Sequence, residues 1–351
     1  MSDAMDVDNA GELPPAPLND PKDSLPWVEK YRPSSLDELI AHEEIIQTLN
    51  KLIESNKLPH LMFHGPPGTG KTSTIIACAK KMYGKSYQSM CLELNASDDR
   101  GIDVVREQIK DFAGTKNMTS MFAAGGKGGG VKLVILDEAD AMTNDAQSAL
   151  RRVIEKYTSN TRFCMICNYV NKIMPALQSR CTKFRFAPLR AEQIDSRLQH
   201  VIDQEKINVT ADGKAAVLAL AGGDLRRVLN LLQSANMAYP VVNEEVIYLT
   251  AGAAVPAVIT KIFHSMLNDG FDVAYETLKK ATYDFGYALV DINTSLSLKV
   301  AQTEFPDEVT TYLIDKLSNI EHRLSRGVSE KLQMGALVGA FIVARDMMNK
   351  K

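Results

Sequence analysis

One octapeptide constrains this chain more than any other feature: Gly65-Pro-Pro-Gly-Thr-Gly-Lys71-Thr72, a match to the G-x-x-x-x-G-K-[ST] phosphate loop. It follows a short apolar run, Leu61-Met-Phe63, that reads as a strand, and it opens a segment of helical spacing from Lys71. This is the context the loop needs. Its glycines let backbone N–H groups close around phosphates, and the helix N-terminus adds a favourable dipole. Lys71 reaches the β and γ phosphates and Thr72 ligates magnesium, so Gly65, Pro66, Pro67, Gly68, Thr69, Gly70, Lys71, Thr72 and Ser73 are the expected nucleotide-contacting residues.

A second motif fits the first. Val134-Ile-Leu-Asp137-Glu138-Ala-Asp140 ends an apolar strand with acids, and strand ends are where ligands sit on open parallel sheets. Asp137 suits the magnesium-binding carboxylate, and Glu138 is placed to polarise the water that attacks the γ phosphate. A strand at 90–94 lies in sequence between the loop and these acids, which favours the hydrolytic branch of phosphate-loop proteins over kinases. Asn168 directly follows the next strand, where it can face the same crevice and orient the attacking water, although an Asn after a strand is by itself usually a turn residue.

The rest of the chain builds an α/β unit and then helices. Ile45, Ile46, Leu49, Leu52 and Ile53 recur at helical spacing. Strands are expected at 61–63, 90–94, 132–136, 163–167 and 182–186, with helices from Lys71, from Ile102 and over 143–157. Such alternation implies a parallel sheet covered on both faces. After Pro188 the strands stop: 189–249 reads as a small helical unit broken at Gly213 and Gly222-Gly223, and the remainder as amphipathic helices, with Val328, Leu332, Leu337, Phe341 and Ala344 on one stripe. Gly125-Gly-Lys-Gly-Gly-Gly130 reads as a flexible surface loop, since no Gly-Lys-Ser/Thr follows it.

Composition narrows the classes. No apolar stretch reaches the length of a membrane span, and nothing at the start resembles a signal peptide. Five cysteines spread over 351 residues do not make a disulfide framework, and Cys164 and Cys167 fall in a buried strand, where no zinc loop forms. The net charge of −3 averages two regions. Residues 1–24 hold six acids and one base and four prolines, a composition expected to be disordered; without them 39 bases face 37 acids, a body near +2. Bulk charge neither supports nor excludes a polyanionic partner.

The octapeptide, the Asp137-Glu-Ala-Asp140 box, Asn168, Ser179-Arg180-Cys181 and Gly223-Asp-Leu-Arg226 occur in the order of the AAA+ clamp-loader ATPases. Trp27-Val-Glu-Lys-Tyr-Arg-Pro33, Leu94-Asn-Ala-Ser-Asp-Asp-Arg-Gly101 and Ala149-Leu-Arg-Arg-Val-Ile-Glu155 resemble signatures of replication factor C small subunits, with 92–103 and 153–157 closest to one branch of them. The resemblance spans 25–351. It implies an AAA+ nucleotide-binding domain over 25–187, a helical lid over 188–250 and a helical collar over 251–351 that holds subunits together, preceded by the tail at 1–24.

The implied activity is that of an ATPase, with ATP and Mg2+ as cofactors, in a hetero-pentamer of replication factor C subunits. That complex opens the sliding clamp PCNA and loads it on primer-template DNA in the nucleus, during replication and repair. Arg180 resembles the arginine finger that acts in trans on the neighbour's site, Arg226 the lid arginine at the γ phosphate, and Val28 and Arg32 the residues on the adenine side. From the residues alone, Arg180 is only one of five bases in the acid-free stretch 171–190, which reads as a solvated face.

DNA contact is assigned to Arg100, Arg106 and Lys110, backbone-tracking bases that equally fit a solvated helix face with Asp103, Glu107 and Asp111. Arg151 and Arg152 follow the acid box and are candidates to connect DNA binding to Glu138. Two other readings stay open: an ATP-binding subunit that is mainly structural and acts through its finger, and a hexameric AAA+ helicase or remodeller. Against the latter, no aromatic pore-loop motif stands between the acid box and Asn168.

Overall fold

The computed structural model describes residues 25–36, 38–39, 41–55, 57–97, 102–114 and 131–349, with backbone alone at 102–106. The acidic tail, Arg100 and the glycine run at 125–130 lie outside the described residues. The chain forms two units, Met1–Gly65 with Gly70–Phe186 and Pro66–Thr69 with Ala187–Lys351.

The first unit runs α1 (Trp27–Lys30), α2 (Glu43–Glu54), β1 (Leu61–His64), α3 (Lys71–Tyr83), α4 (Tyr87–Met90), β2 (Cys91–Asn95), α5 (Ile102–Gly114), β3 (Lys132–Asp137), α6 (Asn144–Tyr157), β4 (Thr161–Cys167), α7 (Pro175–Gln178) and β5 (Thr182–Arg185). The strands pair in the order β2-β3-β4-β1-β5, every pair parallel. A parallel sheet needs cover on both faces, and the side chains divide accordingly. Leu61 and Phe63 pack with Leu49 of α2 and Ile75 of α3. Met62, Val134 and Leu136 pack with Ile109 of α5 and Leu150 and Ile154 of α6. Successive residues of a strand point to opposite faces, so a continuous apolar run feeds two cores. Burying each such side chain is worth roughly 1.5–3 kcal/mol.

The expected alternation of strands and helices is therefore present, with strand ends shifted by one or two residues. Met90, expected to open a strand, closes α4, and β3 extends to Asp137, which pairs with Asn95. Cys164 and Cys167 are both buried in β4. The helix after the acid box starts because Thr143 caps it, accepting the Ala146 N–H at 3.3 Å.

The second unit is helical: α8 (Ala191–Glu205), α9 (Ala211–Ala221), α10 (Leu225–Ala238), α11 (Glu244–Ala251), α12 (Pro256–Asn268), α13 (Phe271–Tyr283), α14 (Leu289–Gln302), α15 (Asp307–Ser325) and α16 (Glu330–Asn349). Gly213, expected to break a helix, instead lies in the first turn of α9. Its N–H is held by the Thr210 hydroxyl at 3.1 Å, and a Cβ there would stand 2.6 Å from the Val242 carbonyl oxygen. The glycine serves close approach, and Gly222, at φ +57, ends the helix. The stripe expected through Val328 and Leu332 is also corrected: they are 41% and 70% exposed, while Met334, Leu337, Val338, Phe341 and Ala344 are buried. At about 100° per residue, Leu332 and Leu337 sit about 140° apart and cannot share a face. Among the described residues no single helix is long and apolar enough to cross a membrane.

His60, just before β1, is a buried neutral base. Its Nδ1 accepts the Phe163 N–H at 3.2 Å, which puts the ring proton on Nε2, facing the Thr158 hydroxyl oxygen at 3.3 Å. Burial, and then the charge of Arg162, lower its pKa to about 4. Between about 4 and the ordinary value of 6.5 the unfolded chain binds the proton and the folded chain does not, so stability falls as pH falls through that window. The midpoint of urea unfolding should drop from pH 7 to pH 4.5, and His60→Gln should flatten that dependence.

Candidate active site

The sheet brings the chemistry-bearing residues to one edge. His64 of β1 pairs with Cys167 of β4, so Gly65 and Asn168 leave the sheet side by side. Lys71, at the first position of α3, reaches back to both: its Nζ donates to the Gly65 carbonyl oxygen at 2.7 Å and to Asn168 Oδ1 at 3.0 Å. The side chain is 6% exposed, and a buried ammonium needs such acceptors. The loop geometry depends on two glycines in this unit. A Cβ on Gly65, at φ +147, would lie 2.1 Å from the Phe186 carbonyl oxygen. Gly70 precedes α3 at φ +89, a conformation that side chains rarely adopt.

Beside the lysine, Thr72 Oγ1 donates to Asp137 Oδ2 at 2.7 Å. A hydroxyl and a carboxylate, both hard oxygen donors, thus meet where β3 ends, a donor set that suits Mg2+. The other Asp137 oxygen accepts the Glu138 N–H at 2.8 Å. Glu138 has left-handed backbone, φ +52, which costs roughly 1–2 kcal/mol for a residue with a Cβ and leaves its side chain exposed. Asp140, which sequence reasoning placed in the box without a role, accepts the Tyr169 N–H at 3.2 Å and so fixes the backbone next to Asn168. At the end of β1, burial, then the charges of Arg185, Lys183 and Lys71, lower the pKa of His64.

Of the remaining expected residues, Ser73 follows Thr72 on α3 and is half-buried. Val28 is on α1, whose Trp27 is buried, and Arg32 follows it, paired with Glu29 at 3.1 Å. Arg180 is exposed after α7; its Nη2 donates to Glu155 Oε1 at 2.5 Å and its Nη1 to the Ala176 carbonyl oxygen at 2.6 Å. Nothing in the sequence reveals this pairing, since the partners stand 25 residues apart. Lys110 lies half-buried on α5, Arg106 is described by backbone alone, and Arg151 and Arg152 are exposed on α6. Gln147, at the start of α6, is a buried polar side chain that sequence reasoning missed. It donates to the Lys172 carbonyl at 3.0 Å and accepts the Met174 N–H at 2.8 Å. Spacing alone does not separate it from a surface glutamine.

In the second unit, which includes Pro66–Thr69, Asp224 caps α10 by accepting the Arg226 N–H at 2.8 Å. A Cβ on Gly68 would collide with that carboxylate, at 1.7 Å, so glycine is required there. Arg226 itself is exposed in the first turn of α10. Pro66 and Pro67 are exposed, and Thr69 is buried with its hydroxyl on the Pro66 carbonyl at 2.9 Å.

Known proteins resemble this chain over nearly its full length. Residues 61–189 match the ATPase family associated with various cellular activities (AAA), and residues 254–340 match the replication factor C C-terminal domain. The chain is 52% identical to replication factor C subunit 5 of Homo sapiens over 93% of this chain and 94% of that one. It is 48% identical to replication factor C subunit 3 of Schizosaccharomyces pombe, over 99% and 97%. A solved structure of a Thermotoga maritima RuvB variant superposes with a TM-score of 0.50 at 14% identity, covering 79% of this chain and 99% of that one, a likeness of fold. A phosphate loop joined to its acid box, in a chain so close to these relatives, makes this an AAA ATPase that belongs to the replication factor C subunit family.

Proposed function

We propose that this chain is an ATP-binding and ATP-hydrolysing subunit of a pentameric clamp loader that opens the sliding clamp PCNA and loads it on primer-template DNA in the nucleus. The observation that carries the reading is the Lys71 ammonium bound to both Gly65 and Asn168 beside the Thr72–Asp137 pair. Lys71, Thr72, Asp137 and Asn168 thus meet at the ends of adjacent strands, with Glu138 next in sequence to Asp137.

In this reading the chain has three parts, a nucleotide domain over 25–187, a lid over 188–250 and a collar over 251–351. Lys71 exchanges its present acceptors for β- and γ-phosphate oxygens, and Thr72 with Asp137 holds the metal. Magnesium, when bound, supplies the charge that offsets the negative phosphates. Glu138 takes the proton of the attacking water, and Asn168 orients that water once Lys71 has turned to phosphate. Arg226 senses the γ phosphate, Val28 and Arg32 flank the base, and Lys110 with Arg100 and Arg106 meets the DNA backbone. Arg180 serves the adjacent subunit's nucleotide rather than this one. Its exposure supports that assignment.

Lys71→Ala should weaken ATP binding by the isolated chain at least tenfold, read by titration of a fluorescent ATP analogue. Arg180→Ala should leave that binding unchanged and slow hydrolysis at the neighbour's site, in the reconstituted complex, by on the order of 10³-fold or more. Loss of the isolated chain's ATP binding in Arg180→Ala would contradict the assignment in trans.

A further inference from the structure

Arg180 does not hang free. Its guanidinium is fixed at two points, by Glu155 Oε1 on the last turn of α6 and by the Ala176 carbonyl oxygen of α7. The same Glu155 oxygen accepts from Arg151 Nε at 3.2 Å, so one carboxylate joins two arginines. The arrangement sets Arg180 apart from its neighbours in the acid-free stretch: Lys183 binds the neutral Gln178 amide oxygen at 2.7 Å, and Lys172 lies over the Tyr169 ring at 5.1 Å.

Folding stability does not account for it, because exposed ion pairs contribute little, and all three side chains are exposed. What such a clasp does is restrict a long, rotamer-rich side chain to one orientation before it meets a partner. The Arg151 hydrogen bond, together with the charges of Arg180 and Arg151, holds the Glu155 carboxyl below its usual range, so the clasp stays ionised at neutral pH.

We propose that Glu155 is the positioning residue for Arg180, orienting its guanidinium for the nucleotide site of the adjacent subunit, with Arg151 steadying Glu155 in turn. This rests on the trans assignment of Arg180. The clasp also ties the outward-facing arginine to α6, the helix that begins after the acid box of this chain's own site.

The test is single-turnover ATP hydrolysis at the neighbour's site in the reconstituted complex with clamp and primed DNA, the other sites silenced at their phosphate-loop lysines. Glu155→Ala should slow that hydrolysis about tenfold while leaving the site's ATP affinity and this chain's melting temperature unchanged. Glu155→Gln, which keeps an acceptor and the side-chain shape, should lose less. Added to Arg180→Ala, Glu155→Ala should have no further effect. An unchanged rate in both Glu155 variants, or an equal slowing in the Arg180→Ala background, overturns the positioning role while leaving the finger intact. An unchanged rate in Arg180→Ala alone overturns the trans assignment itself, and the proposal with it.

Discussion

A buried ammonium organises the first unit. Lys71 stands at the start of α3, and its charge is sheltered from water at the end of the sheet. Such a group is stable only where acceptors are built for it, and here they come from two strand ends, the Gly65 carbonyl after β1 and Asn168 after β4. The requirement reaches far into the fold. β1 must lie beside β4, Gly65 must lack a side chain against Phe186, and the segment after β4 must be held, which Asp140 does through the Tyr169 N–H.

The same lysine explains why the site is poised rather than closed. A phosphate competes with neutral carbonyl acceptors for Lys71, and a charged acceptor forms the stronger bond. The Thr72–Asp137 hydrogen bond likewise presents two oxygens that a divalent cation can separate. The strained backbone at Glu138 is paid for by the fold around it, in keeping with strain concentrated at functional positions.

Much of this was legible in the sequence because it is local. The phosphate loop, the acid box and Asn168 each sit at the end of an apolar strand, and strand ends on a parallel sheet converge on one crevice. The register that sets Gly65 beside Asn168 follows from strand order, which the sequence does not state. Glu155 and Arg180 meet across 25 residues, and Gln147 is buried by tertiary packing, so periodicity is silent on both. Gly213 misled for a different reason: a glycine reads as a break, yet a cap at Thr210 and the nearby Val242 carbonyl make it a helix residue required by close packing. Leu332 misleads because a five-residue step turns about 140° around the helix and leaves the face.

We propose that this chain's chemistry is completed by its neighbours: its own strand ends bind the nucleotide, and an arginine from an adjacent subunit makes hydrolysis fast. ATP turnover by the isolated chain, compared with the complex reconstituted with the other subunits, a sliding clamp and primed DNA, tests it most directly. Little turnover is expected from the isolated chain despite ATP binding, and a large rise on assembly that clamp and primed DNA increase further. Equal turnover per chain before and after assembly would contradict it.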